Sequence, residues 1–127
     1  MTHEDYVSFK QAKDLKELGF DWECNRFYNS TLNEDINGWL SCENFNNSDY
    51  SISAPTLAQA QKWLREEKKI DVIVFLSYPR GERKYHYGIH RQFPFLNYVD
   101  DYHHDTYELA LSAGIDKALE LLKEENK

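Results

Sequence analysis

Apolar residues recur at helical spacing in three stretches of this chain, and at strand spacing in the segments between them. Phe9, Ala12, Leu15 and Leu18 form the first helical stripe, which Gly19 stops. Leu57, Ala60, Trp63 and Leu64 form the second, ending in the charged run "REEKK". Tyr107, Ala110, Leu111, Ile115, Ala118, Leu119 and Leu122 form the longest, interrupted only at Gly114. Each stripe follows a hydroxyl residue suited to an N-cap. Ser8 and Thr56 have Gln11 and Gln59 three residues on, as a capping box requires, while Thr106 competes with Asp105, which has Glu108 three residues on. Such stripes are core faces.

Between the helices the period drops to two. Phe20, Trp22, Cys24 and Tyr28 largely alternate with polar residues and predict a half-buried strand. Asn37-Gly38 predicts a tight turn, with "WLSCENF" from Trp39 as the returning strand and "NNSDYSIS" as a polar loop to the second helix. The stretch from Ile70 to Tyr78 is apolar on both faces, with Ile70, Val72, Val74 and Leu76 on one and Ile73 and Phe75 on the other. That pattern predicts a central strand, or one covered by a partner chain. After the turn "PRGER", "KYHYGIHRQF" from Lys84 returns as its hairpin mate. The expected fold is α+β, in the order helix, hairpin, helix, hairpin, helix. A sheet of about four strands, antiparallel or mixed, would carry its helices mainly on one face, within a single domain spanning 1–127.

Composition narrows the chemistry. A chain of 127 residues with 15% aromatics can build a core from a few large rings, and its net charge of -7 argues against general nucleic-acid binding. No apolar run reaches the ~20 residues of a membrane span, and the first residues lack a signal-like pattern, so the expectation is a soluble cytoplasmic protein. Cys24 and Cys42 are too few for a disulfide scaffold.

The helical segments "YVSFKQAKDLKELGFDW", "APTLAQAQKWLRE" and "TYELALSAGIDKALELL" resemble a family of short proteins of no established activity, encoded by gut Bacteroides and their phages and mobile elements. The resemblance covers about half the chain and carries over no site residues. It implies a setting among accessory genes, whose small acidic products often act by binding.

No nucleophile elbow, glycine-rich loop or metal-ligand spacing is present, so no catalytic residue, metal or cofactor is assigned. His86 and His90 share a strand face about 13 Å apart, too far to chelate one ion without a bend such as a bulge at Gly88. His103 and His104 lie beside Asp100, Asp101 and Asp105, and adjacent extended residues point apart. The hairpin stands out by charge: Arg80, Arg83, Lys84 and Arg91 against the single acid Glu82, on an acidic chain. Edge protection is one explanation. The other is a cationic strip, Arg80, Arg83, Lys84, His86, His90 and Arg91, presented to an acidic protein or a small anionic ligand. The expected function is a non-enzymatic interaction module. A small-molecule or nucleotide binder and a small hydrolase are the alternatives, and a homodimer is one way to cover Ile73 or Phe75.

Overall fold

The computed structural model describes residues 5–29, 34–36 and 43–125, with the backbone alone at 34–36. The chain is α+β, and it divides into two compact units, Met1–Ala58 and Gln59–Lys127. No helix among the described residues is long and apolar enough to cross a membrane.

In the first unit, α1 (Phe9–Glu17) opens on the expected capping box. Gln11 N donates to Ser8 Oγ at 3.1 Å, and Ser8 N donates to Gln11 Oε1 at 2.8 Å. Ala12 and Leu15 are fully buried, and α1 packs on β3 (Ser51–Ser53). Gly19 ends the helix at φ 98, a left-handed conformation that a Cβ would strain.

Three short strands make an antiparallel sheet in the order β2-β1-β3, with β1 at Phe27–Asn29 and β2 at Glu34–Ile36. The strand expected from Phe20 ladders only at its end, and Cys24 makes a separate bridge to Glu43. β1 takes Glu34–Ile36 as its hairpin partner, whereas the expected turn at Asn37-Gly38 and the residues Trp39 to Cys42 lie outside the described residues.

The segment read as a polar loop instead holds a 3₁₀ turn, Phe45–Asn47, and the strand β3. Side chains explain the difference. Asn46 Oδ1 accepts from Ser53 N at 2.8 Å while its Nδ2 donates to Phe20 O at 2.9 Å, and Ser53 Oγ accepts from Phe45 N at 2.9 Å. Polar residues here satisfy buried backbone, and Ser53 itself is 0% exposed. Asn46→Ala would leave the Ser53 N–H without this partner, and should destabilise the chain by about 1.5 kcal/mol in a urea melt.

The second unit carries most of α2 (Leu57–Glu67), then β4 (Asp71–Ser77), β5 (Lys84–Arg91), β6 (Leu96–Val99) and α3 (Tyr107–Glu125). Its sheet is antiparallel in the order β4-β5-β6, so the β4–β5 hairpin forms as expected. The positions within the sheet are reversed. "KYHYGIHRQF" supplies the central strand and "IDVIVFLSY" an edge, because residues 96–99, unread as a strand, pair with β5 on its far side. The six strands among the described residues thus form two sheets of three where one of about four was expected.

Helix α3 packs on β4 and β5 across one face. Val72, Tyr87 and Ile89 are buried on that face, and Gly114 lets the helix approach closely, since a Cβ there would lie 2.6 Å from Val72 Cγ1. The opposite face is not clothed. Ile73 is 41% and Phe75 40% exposed in the single chain, so no loop of the described residues covers them, and of the expected covers only a second subunit is left. An antiparallel sheet needs only one buried face, and apolar residues on the second are left to solvent.

Candidate functional site

The β4–β5 hairpin closes on a short 3₁₀ turn, Pro79–Gly81, in which Arg80 and Gly81 take φ 54 and 79. Left-handed backbone is easy for the glycine. It is less favourable for Arg80, which is exposed, and closing the tight turn between β4 and β5 imposes it.

The cations around this tip differ in availability. Lys84 pairs with Asp105 and lies 3.8 Å from Glu82. Its hydrogen bond to Asp105 raises the ammonium pKa above the ordinary lysine range, and the same contact holds the Asp105 carboxyl below its usual value. Among the described residues, none offers Arg83 a carboxylate at ion-pair distance. Its Nε donates to Tyr85 Oη at 2.9 Å and its Nη1 to Tyr78 Oη at 3.2 Å, which raises its pKa further and holds the guanidinium against the Tyr85 ring. Arg80 makes no hydrogen bond or ion pair with the described residues. Among the described residues, the tip cations without a counter-ion are therefore Arg80 and Arg83.

Arg91 lies at the other end of β5, about 20 Å from Lys84 at strand rise, so the strip is not one surface. It is 5% exposed, donating through Nε to Pro94 O at 2.9 Å and through both terminal nitrogens to the Glu125 carboxylate. This arginine holds β5 to the end of α3.

His86 and His90 fall on the face of β5 away from α3. His86 stacks on Phe75 at 5.2 Å between centroids and meets the edge of His103 at 5.9 Å. Its Nδ1 is buried and has no hydrogen-bond partner among the described residues. The Phe75 ring also covers Gly88, where an added Cβ would come within 2.8 Å of Phe75 Cε2. His90 is exposed beside Phe95, at 6.2 Å between centroids. The adjacent histidines do point apart: His103 turns to His86, while His104 bonds Asp100 at 3.0 Å and bridges Tyr85. Among the described residues, no group of three His, Cys, Asp or Glu side chains is placed to hold a metal ion.

Two further features were not legible as sites. An open depression of about 720 Å³ is lined by Arg65, Lys69, Asp71, His90, Gln92 and Phe93, and it joins the end of α2 to the end of β5. Only His90 of the expected residues reaches it fully. The second feature is aromatic: Phe93 is 89% and Phe95 72% exposed in the turn between β5 and β6. On the buried side, Tyr87 is desolvated and faces Asp100, which pushes its phenol well above the usual range and keeps it neutral. Ser77 Oγ lies 3.4 Å from His103 Nδ1, and among the described residues no third group is hydrogen-bonded to that imidazole.

No protein-family model, curated protein or solved structure matches this chain.

Proposed function

We propose that this chain is a non-enzymatic interaction module that binds a partner through the second unit's sheet. The observation that carries the reading is the sheet face away from α3, where Ile73, Phe75 and Val99 are exposed on a sheet whose hairpin tip carries the exposed Arg80 and Arg83. Exposed apolar surface of this kind, rimmed by polar groups, is what docking surfaces present. Arg80 and Arg83 would orient an acidic partner on approach, and the apolar face would supply the contact. The likeness of the helices to products of phage and mobile-element genes fits an accessory role of this sort.

Reversing both tip arginines, Arg80→Glu with Arg83→Glu, should leave folding stability nearly unchanged, since both groups are exposed. Partner capture from the native host should fall, and the deficit should shrink as salt rises and screens the tip. Equal recovery of the same partner by parent and double variant at low salt would remove the tip from the binding surface.

The depression favours a second reading, a small anionic ligand held between Arg65, Lys69 and His90. Titration with inorganic pyrophosphate, followed by amide shifts, separates the two. Saturable shifts confined to these residues and abolished by Lys69→Ala would favour the ligand binder.

A further inference from the structure

We propose that two copies of this chain associate through β4, strand against strand, in an antiparallel pair centred on Phe75. The starting point is the direction of the backbone groups. On β5, Tyr85 exchanges hydrogen bonds with His104, and Tyr87 O accepts from Asp100 N, so these residues face away from β4. Alternate residues of an antiparallel ladder point their N–H and C=O to opposite sides. His86, Gly88 and His90 therefore face β4, where the register matches them with Phe75, Ile73 and Asp71. It follows that Val72, Val74 and Leu76 direct their backbone groups to the open edge.

That edge is closed at only one point. Val72 O accepts from Gln61 Nε2 at 2.7 Å, which agrees with the outward direction and occupies the carbonyl. Nothing among the described residues bonds the N–H and C=O of Val74 and Leu76. Pairing centred on Val74 would draw Val72 into the new ladder and compete with Gln61. Pairing centred on Phe75 instead lets Val74 of each copy exchange both bonds with Leu76 of the other, and leaves Gln61 in place because Val72 then faces Tyr78, which lies past the end of β4 with ψ 60 and does not continue the ladder. The two Phe75 residues then meet on the two-fold axis as a non-hydrogen-bonded pair. Their rings lean inward over Gly88, so the axis passes between Cβ atoms without a clash.

A second copy fits this edge better than a generic strand because the edge is self-complementary. From Val72 to Tyr78 it has no charge, so two acidic chains meet there without repulsion, and it has none of the prolines, lysines or bulges that usually blunt an edge. The antiparallel arrangement also carries Arg80 of each copy toward the strand start of the other, where Asp71 sits. Ile73, Phe75, Leu76 and Tyr78 are 41%, 40%, 44% and 58% exposed. With large side chains presenting roughly 150–250 Å² each, these four offer on the order of 350 Å² per copy. Adding the edge backbone and Arg80 still falls short of the roughly 800 Å² per partner of a standard interface, so the dimer should be weak and concentration-dependent. The inference uses the β4 edge and Arg80's position, not the existence of a heterologous partner, and stands or falls apart from the function proposed above.

Sedimentation velocity from about 5 μM to about 1 mM spans the expected micromolar dissociation range. The mass should rise from that of one 15.1 kDa chain toward twice that value. Val74→Pro removes an outward N–H and no bond of the β4–β5 ladder, so it should stay folded by circular dichroism and remain monomeric. Cysteines test the register. Phe75→Cys places two thiols directly opposite, Cα atoms about 4.5 Å apart, and should form a disulfide dimer on mild oxidation. Ile73→Cys faces Ser77 of the other copy, about 13 Å from its own counterpart, and should link no faster than the parent with Cys24 and Cys42. A parent that stays monomeric at the highest concentration overturns the proposal. So does a folded Val74→Pro that still dimerises, or an Ile73→Cys that links as fast as Phe75→Cys. If Val74→Pro does not fold, the cysteine pair decides.

Discussion

Gly114→Val is expected to destabilise the protein by about 3 kcal/mol, lowering the melting temperature on the order of 10 °C. A first methyl at this position would already sit 2.6 Å from Val72 Cγ1 and 3.1 Å from Tyr87 Cβ. One of those atoms ends a side chain, but the other is anchored to the central strand, so relief requires α3 to move off the sheet. Helix propensity pulls the other way, by about 1 kcal/mol from glycine to alanine. For Gly114→Ala the two effects nearly meet, with a net loss of about 1 kcal/mol because overpacking costs about 1–3. Valine adds further atoms in the same crowded place and a β-branched penalty. Urea melts of the two variants check the order, and an alanine variant more stable than the parent would show that the helix can shift without loss.

Glu125→Ala should cost about 2 kcal/mol, less than the 3–5 typical of breaking a fully buried pair. Arg91 is the buried partner, with 6% of its side chain exposed, and it would lose both carboxylate contacts and keep only the one to Pro94 O. The Glu125 side chain is 44% exposed, and water screening accounts for the discount. A pH dependence follows. The hydrogen bond from Arg91 holds the Glu125 carboxyl below its ordinary value of 4.5, so the folded chain keeps this carboxylate charged at pH values where the unfolded chain has begun to protonate it. The contribution is complete above the unfolded pKa and is lost as pH falls through the lower folded pKa. Melts of parent and Glu125→Ala should therefore differ at neutral pH, and the difference should shrink below pH 4.5 and vanish only once pH has fallen through the lowered pKa of the folded chain.

The two helix ends show what a sequence can disclose. Ser8 with Gln11 forms its box within four residues of chain, and that local chemistry survives any tertiary arrangement. At α3 the ambiguity between Thr106 and Asp105 resolves to Thr106, whose Oγ1 accepts from Leu109 N at 3.1 Å, because Asp105 is drawn to Lys84. Distant pairings were not legible. Arg91 looked like one cation of a basic strip, and only its contact with Glu125, 34 residues away, makes it part of the core. The central position of β5 was hidden for a related reason. Its outward residues are polar or absent, His86, Gly88 and His90, which suggests an edge until β6 is known to lie beside it. β3 escaped notice because amide and hydroxyl groups, rather than an apolar period, hold it in place. Of the candidate site, the charge at the tip was readable, while the depression that joins α2 to β5 was not, since it depends on how the elements pack.

The ring of Phe75 over Gly88 also constrains the order in which substitutions can accumulate. With phenylalanine at 75, any side chain at 88 must first displace a ring, so changes at 88 should be disfavoured on this background. Once position 75 holds something smaller, the same change becomes tolerable, and the return to phenylalanine is then the disfavoured step. The two positions should behave as a ratchet. Their joint effect on stability would depart from the sum of the single effects, and lineages would tend to keep either the ring with its glycine or neither.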